Sequence, residues 1–235
     1  MESIYLENLN ESSSAERILS KDELNHLKVL RIRDNETIFA TNGRGISAEG
    51  FIYKNGNDLF FKVKLLKPIN FNENKSNVSM LIGALDNRDR MEFALEKCVE
   101  MGIQNVYLVK TKFSSPKKYI LDRLNNKLLS AFKQCKRTIL PKLFLLDNIF
   151  EITKEIHKFK NVYIADIDGV SLNLFNFNQY SLIAVGPEGG FEQSEIDFLI
   201  DEMKGICFKM GETRLRAETA VIAALAIFNF KIGNL

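Results

Sequence analysis

Two stretches carry the residue types most able to do chemistry. The first, Val185-Gly186-Pro187-Glu188-Gly189-Gly190-Phe191, follows an apolar run and precedes a helical pattern. Its glycines allow a ligand to approach the backbone closely and allow unusual φ, while Pro187 stiffens the turn. The spacing matches neither the dinucleotide fingerprint nor the phosphate-binding loop, and the Lys-Ser/Thr pair of the latter is missing. Glu188 would repel a phosphate but could orient a cation, an amine or a base edge. A generic glycine turn is the alternative explanation for the same residues.

The second stretch, Met210-Gly211-Glu212-Thr213-Arg214-Leu215-Arg216-Ala217-Glu218-Thr219-Ala220, also follows a β-like run and opens a helix. Arg214, Arg216 and Glu218 could place two cations and a carboxylate beside a substrate, or could form an exposed salt-bridged turn. Just beyond lies Val221-Ile222-Ala223-Ala224-Leu225-Ala226-Ile227, a helix apolar all round, which needs burial in a core or against a partner chain. Each stretch is expected at the carboxyl end of a strand of one parallel sheet, where open α/β sheets bind ligands. Both should therefore open on the same edge.

Charge adds a third feature. Between Lys112 and Lys142 stand nine basic residues and one acid, Asp122, in a chain whose net charge is only +2. On the faces of a long helix these could neutralise phosphates and attract nucleic acid, although a solvated helix surface has the same composition. With 46% apolar and 26% charged residues, the chain can bury a core and is neither low-complexity nor mainly disordered. Cys98, Cys135 and Cys207 are odd in number and far apart, which suits reduced thiols of a cytoplasmic protein. His26 and His157 have no metal-ligand spacing around them, so no metal is expected. The beginning of the sequence lacks a basic segment followed by an apolar one, and the longest apolar-rich run, 219–230, falls short of the roughly 20 residues of a membrane span. No membrane partner is expected.

The elements that must hold these loops follow from periodicity. Residues 1–70 show short β-like runs separated by Asn42-Gly43 and Asn55-Gly56, both hairpin signals, with a helix over 20–31 opened by a Ser20/Glu23 capping box. Pro68 and the polar run 70–77 mark a domain boundary at about residue 70. Residues 71–235 alternate β-like and helical runs: strands over 78–85, 106–109, 162–165, 182–185 and 206–210, and helices over 89–101, 117–136, 192–203 and 217–228. Asp89 is the expected N-cap of the first of these helices. The alternation predicts an α/β domain with a mainly parallel sheet covered on both faces.

These motifs, with His26-Leu27, Val29-Leu30-Arg31, Asp89-Arg90-Met91-Glu92, Lys97, Glu100, Gly102, Gln134, Arg137 and Pro141, closely resemble the bacterial ribosomal RNA small-subunit methyltransferase E family across nearly the whole chain. The resemblance implies a PUA-like RNA-binding domain at 1–70 and a SPOUT methyltransferase domain with a C-terminal trefoil knot at 71–235. It implies a homodimer that uses S-adenosylmethionine to methylate N3 of a uridine of 16S ribosomal RNA within the small subunit. The cofactor would rest on Gly186, Glu188, Gly189, Gly190, Gly211, Leu215, Arg216 and Ala217. Arg216 would stabilise the developing uracil charge, and Glu218 or Glu188 would steer the proton or orient the loops. RNA contact is expected at His26, Lys28, Arg31, Arg33, Lys133, Lys136 and Arg137. Thr213-Arg214, Glu192 and Asp86-Asn87-Arg88 depart from the pattern of many relatives. A non-catalytic RNA-binding assembly factor of the same fold is the competing expectation; a phosphate-binding nucleotide enzyme is disfavoured by Glu188 and the missing lysine.

Overall fold

A computed structural model describes residues 2–10, 17–20, 23–24, 27, 36–56, 58–67, 77–114, 119–171 and 178–233. The chain forms two compact units, Met1–Asn74 with Leu129–Leu140, and Lys75–Leu128 with Pro141–Leu235.

The first unit is built on a five-stranded sheet containing β1 (Ser3–Tyr5), β2 (Arg17–Ile18), β3 (Thr37–Thr41), β4 (Ser47–Asn55) and β5 (Asp58–Lys67), in the order β1-β3-β4-β5-β2. The predicted hairpins are present. Gly43 and Gly56 take φ of 69° and 64°, values that favour glycine and close the tight connections between antiparallel strands. Alternation puts Ile38, Ala40, Ala48, Ile52 and Phe61 into one buried cluster with Ile4 and Leu9. The Glu23 amide donates to Ser20 Oγ at 3.2 Å, as an N-cap requires, but the Glu23 carboxylate pairs with Lys133 at 2.9 Å instead of completing a capping box. Residues 21–22, 25–26 and 28–31 of the expected helix lie outside the described residues.

The second unit holds β6 (Ser79–Gly83), β7 (Asn105–Val109), β8 (Lys142–Leu146), β9 (Asn161–Ser171), β10 (Ser181–Val185) and β11 (Ile206–Lys209). All pair in parallel, in the order β11-β9-β10-β6-β7-β8. Strands β6 and β10 are buried throughout, which explains their continuous apolar runs. The helices of this unit are α1 (Arg88–Glu100), the first half of α2 (Leu121–Cys135), whose residues from Leu129 on belong to the first unit, α3 (Gln193–Asp201) and α4 (Ala217–Lys231), with a 3-10 segment at Ile149–Lys158. Asn87, not Asp89, caps α1: its side chain accepts from the Arg90 amide, because the helix begins two residues earlier than its periodicity suggested. Glu192 caps α3 in a reciprocal capping box with Glu195, so a longer acid performs what Ser or Thr would do there. The α4 helix packs on α1 and β10 and buries Ala217, Ala220, Val221, Ala224, Leu225 and Phe228, while Phe230 stays 68% exposed.

Among the described residues no helix is long and apolar enough to cross a membrane, and no group of three or more His, Cys, Asp or Glu is arranged to hold a metal.

Candidate active site

Three segments of the second unit enclose a cavity of about 520 Å3 at the carboxyl edge of its sheet, a size typical of small-molecule sites. They are residues 165–167, 185–191, and 210–217 with Ala220; Glu212 alone of 210–217 is not part of the wall.

The first wall comes from an irregularity in β9. Ile164 pairs with Cys207 and Val170 with Phe208, so five residues, 165–169, leave the ladder between neighbouring pairs. Gly169 makes this possible, since a Cβ there would stand 2.5 Å from the Phe208 backbone. Asp166 steadies the excursion by accepting from the Asp168 amide at 2.8 Å. Nothing in the local sequence pattern marks Ala165, Asp166 and Ile167 as site residues; the signal available was Gly169 inside an otherwise β-like run.

The glycine loop follows β10. Gly190 takes φ of 78° and donates to the Pro187 carbonyl at 2.8 Å, closing the turn. Packing leaves no room for a side chain on Gly186 or Gly189 of this loop, or on Gly83 beneath it. A Cβ on Gly186 would lie 2.8 Å from the Gly190 backbone, one on Gly189 2.6 Å from the Phe113 Cβ, and one on Gly83 of β6 2.3 Å from the Pro187 ring. Gly83 is thus a positioning residue that the sequence motifs did not single out. Glu195 further anchors this edge, accepting from the Lys112 amide at 2.9 Å and holding the turn that carries Phe113.

The third wall, before α4, is tied to the second. Arg214 donates through Nη2 to the Glu188 carbonyl at 2.9 Å, and Glu188 accepts the Asp86 amide on Oε2 at 3.2 Å. Arg216 is the N-cap residue of α4, its carbonyl accepting from the Ala220 amide at 2.8 Å. The Tyr119 hydroxyl donates to the Leu85 carbonyl beside this bridge. Burial, then the Glu188 and Asp86 carboxylates, push its phenol up to about 12.

Gly186, Glu188, Gly189, Gly190, Gly211, Leu215, Arg216 and Ala217 all lie on the cavity wall. Glu218 does not. It pairs with Arg90 of α1 at 3.6 Å, and its other carboxylate oxygen, Oε2, is buried without a hydrogen-bond donor. Of the residues expected to touch RNA, His26, Lys28, Arg31 and Arg33 lie outside the described residues. Lys133 is engaged with Glu23, Lys136 is exposed and Arg137 is buried. Within the basic stripe, Arg123 and Lys127 pair with Glu92 and Glu96 of α1 at 2.6 and 2.7 Å. Part of the stripe is therefore internal ion pairing rather than a continuous cationic surface.

Comparison with known proteins agrees with this architecture. Residues 72–229 match the RNA methyltransferase domain family, and residues 19–64 match the RNA methyltransferase PUA domain. A ribosomal RNA small subunit methyltransferase E of Mesomycoplasma hyopneumoniae is 26% identical over 92% of this chain and 95% of its own length. A second such protein, from Borreliella burgdorferi, is 30% identical over 72% of each chain. The crystal structure of a ribosomal RNA small subunit methyltransferase E from Neisseria gonorrhoeae bound to S-adenosyl methionine superposes with a TM-score of 0.83, at 25% identity over 98% of this chain and 97% of that one. With a PUA-like β-rich unit, a parallel SPOUT sheet and these matches over most of its length, the chain belongs to the ribosomal RNA small subunit methyltransferase E family.

Proposed function

We propose that this protein transfers a methyl group from S-adenosylmethionine to N3 of a uridine in 16S ribosomal RNA of the small subunit. The carrying observation is the shared cavity formed by the 165–167, 185–191 and 210–217 segments. Its fit to the cofactor is supported by open space at the positions a Cβ would take on Gly190 and Gly211, a cradle that a side chain would fill. The backbones of Gly186, Gly189, Gly190, Gly211, Leu215 and Ala217 hold the cofactor, which when bound supplies an activated methyl on a sulfonium centre.

Uracil N3 carries a proton in the neutral base. Methylation needs that proton removed and the resulting oxygen charge stabilised. Arg216, on the cavity wall, supplies the cation. Glu188, on the same wall, steers the proton, while Glu218, held by Arg90, orients the start of α4. Residues 1–70 serve as the RNA-binding domain and 71–235 as the catalytic domain, with the knotted chain path of the family.

The exposed Phe93 of α1 and Phe230 of α4, 43% and 68% accessible, support a homodimer that covers them; a ribosomal RNA substrate places the protein in the cytoplasm. Light scattering of the purified protein tests the dimer. For activity, the protein is incubated with unmethylated small subunits and labelled cofactor, and the RNA is digested for mass spectrometry. N3-methyluridine is the expected product, and its absence alongside measurable cofactor binding overturns the substrate assignment.

A further inference from the structure

We propose that the outer face of the β4–β5 hairpin is a stacking platform for single-stranded RNA, built by Phe51, Tyr53 and Phe60 and flanked by Lys62 and Lys64. This rests on the chain being an RNA methyltransferase and adds a substrate-binding surface distant in sequence from the basic residues of 112–142.

Strand register brings the residues together. Phe51 lies opposite Lys62 and Tyr53 opposite Phe60 in the antiparallel ladder. The alternate residues Ile52 and Phe61 are buried at 7% and 0% exposure, so the core lies on their side of the sheet and the three rings share the other. All three rings are half-buried and Lys62 and Lys64 are exposed. Tyr53 and Phe60 stack at 5.7 Å with an interplanar angle of 23°, and Phe51 lies 6.4 Å from Tyr53, tilted by 55°.

A ribbon of accessible π-faces suits unstacked bases, which bind by stacking with little sequence demand. Over 47–67 four lysines, Lys54, Lys62, Lys64 and Lys67, stand against two acids, Glu49 and the exposed Asp58 at the hairpin tip, an excess that favours a polyanion over an apolar protein partner. Glu49, the acid two residues before Phe51, is paired with Lys67 at 2.5 Å, so its negative charge is compensated and does not repel phosphates drawn to the lysines beside the rings. The face therefore combines ring stacking with phosphate attraction on one strand pair, as single-stranded nucleic-acid sites do.

The chain contains no tryptophan, so Phe60→Trp introduces a single indole reporter into the full-length protein. Titration with a short single-stranded oligouridylate should quench its emission to saturation, and the same sequence in duplex RNA should quench it far less. Phe51→Ala should weaken oligouridylate binding about tenfold, the range of one base–ring stack. The double change Lys62→Glu with Lys64→Glu keeps the rings and core intact. It should weaken binding further at low salt and flatten the salt dependence by about 0.7 in log–log slope for each phosphate no longer neutralised.

Absence of quenching, equal quenching by duplex, or unchanged affinity in both variants overturns the platform. Concentration-dependent quenching without RNA also overturns it, assigning the face to a second copy of the chain. Calorimetry with S-adenosylmethionine separates the two proposals. Cofactor binding with no oligouridylate signal rejects the platform alone, whereas oligouridylate quenching without cofactor binding rejects the enzymatic reading alone.

Discussion

At the scale of single residues, Arg216 and Tyr119 act on the site in different ways. Arg216 lines the cavity, and its backbone carbonyl closes the first turn of α4. Arg216→Ala retains that carbonyl and removes only the guanidinium. Methyl transfer should fall by about 100-fold, in the range of one missing electrostatic stabiliser, while the calorimetric affinity for S-adenosylmethionine changes little. A normal turnover would remove Arg216 from the catalytic set. Tyr119 contributes through a hydrogen bond to the Leu85 carbonyl. Its phenol is raised from the ordinary 10.0 to about 12, so the folded protein retains this proton more strongly than the unfolded chain. The resulting stability is fully present below pH 10.0 and is lost as pH climbs through about 12. Urea denaturation at rising alkaline pH should show a shallower decline for Tyr119→Phe than for the parent protein, and identical slopes would contradict this.

At the scale of elements, the glycine loop is held by what packs beneath and beside it. Gly83 of β6 admits Pro187, and a methyl group there would have to displace a proline ring or its strand. Gly83→Ala should cost about 1–3 kcal/mol of stability and weaken cofactor binding together, measured by thermal melting and calorimetry. A loss of stability with intact affinity would mean that the loop adjusts independently of β6. Arg214 braces the same loop from the other side through the Glu188 carbonyl. Because this bond is exposed, Arg214→Ala should weaken cofactor binding only about fivefold, near 1 kcal/mol, with the melting temperature nearly unchanged. A far larger affinity loss would mean that Arg214 touches the ligand itself.

At the scale of the whole molecule, charge that looks continuous along the chain is divided by tertiary pairing. Lys133 and Glu23 are 12% and 5% exposed at their side chains, so reversing Lys133 places two acids together in a largely buried position. Lys133→Glu should destabilise the protein by about 3 kcal/mol, in the range for breaking a buried pair. Lys136→Glu, at an exposed position, should leave the urea midpoint near its parent value and reduce RNA affinity with a smaller salt slope. Equal destabilisation by the two reversals would refute this distinction. The sequence shows nine basic residues between 112 and 142; only the fold ties Arg123, Lys127 and Lys133 among them to Glu92, Glu96 and Glu23.

Local pattern alone determined the alternating α/β plan, the β-rich first unit and the two polar loops at strand ends, because apolar periodicity and glycine turns are written over neighbouring residues. It also identified α4 as a helix needing burial on several sides, since its apolar residues leave no polar face. The Asn87 cap, the 165–169 excursion of β9 and the roles of Gly83 and Phe113 were decided only by tertiary structure. Each depends on where a helix begins or on which distant backbone comes within a few ångströms. The same reason separates Glu188 from Glu218: both are carboxylates in promising loops, yet packing sets one on the cavity wall and turns the other toward Arg90.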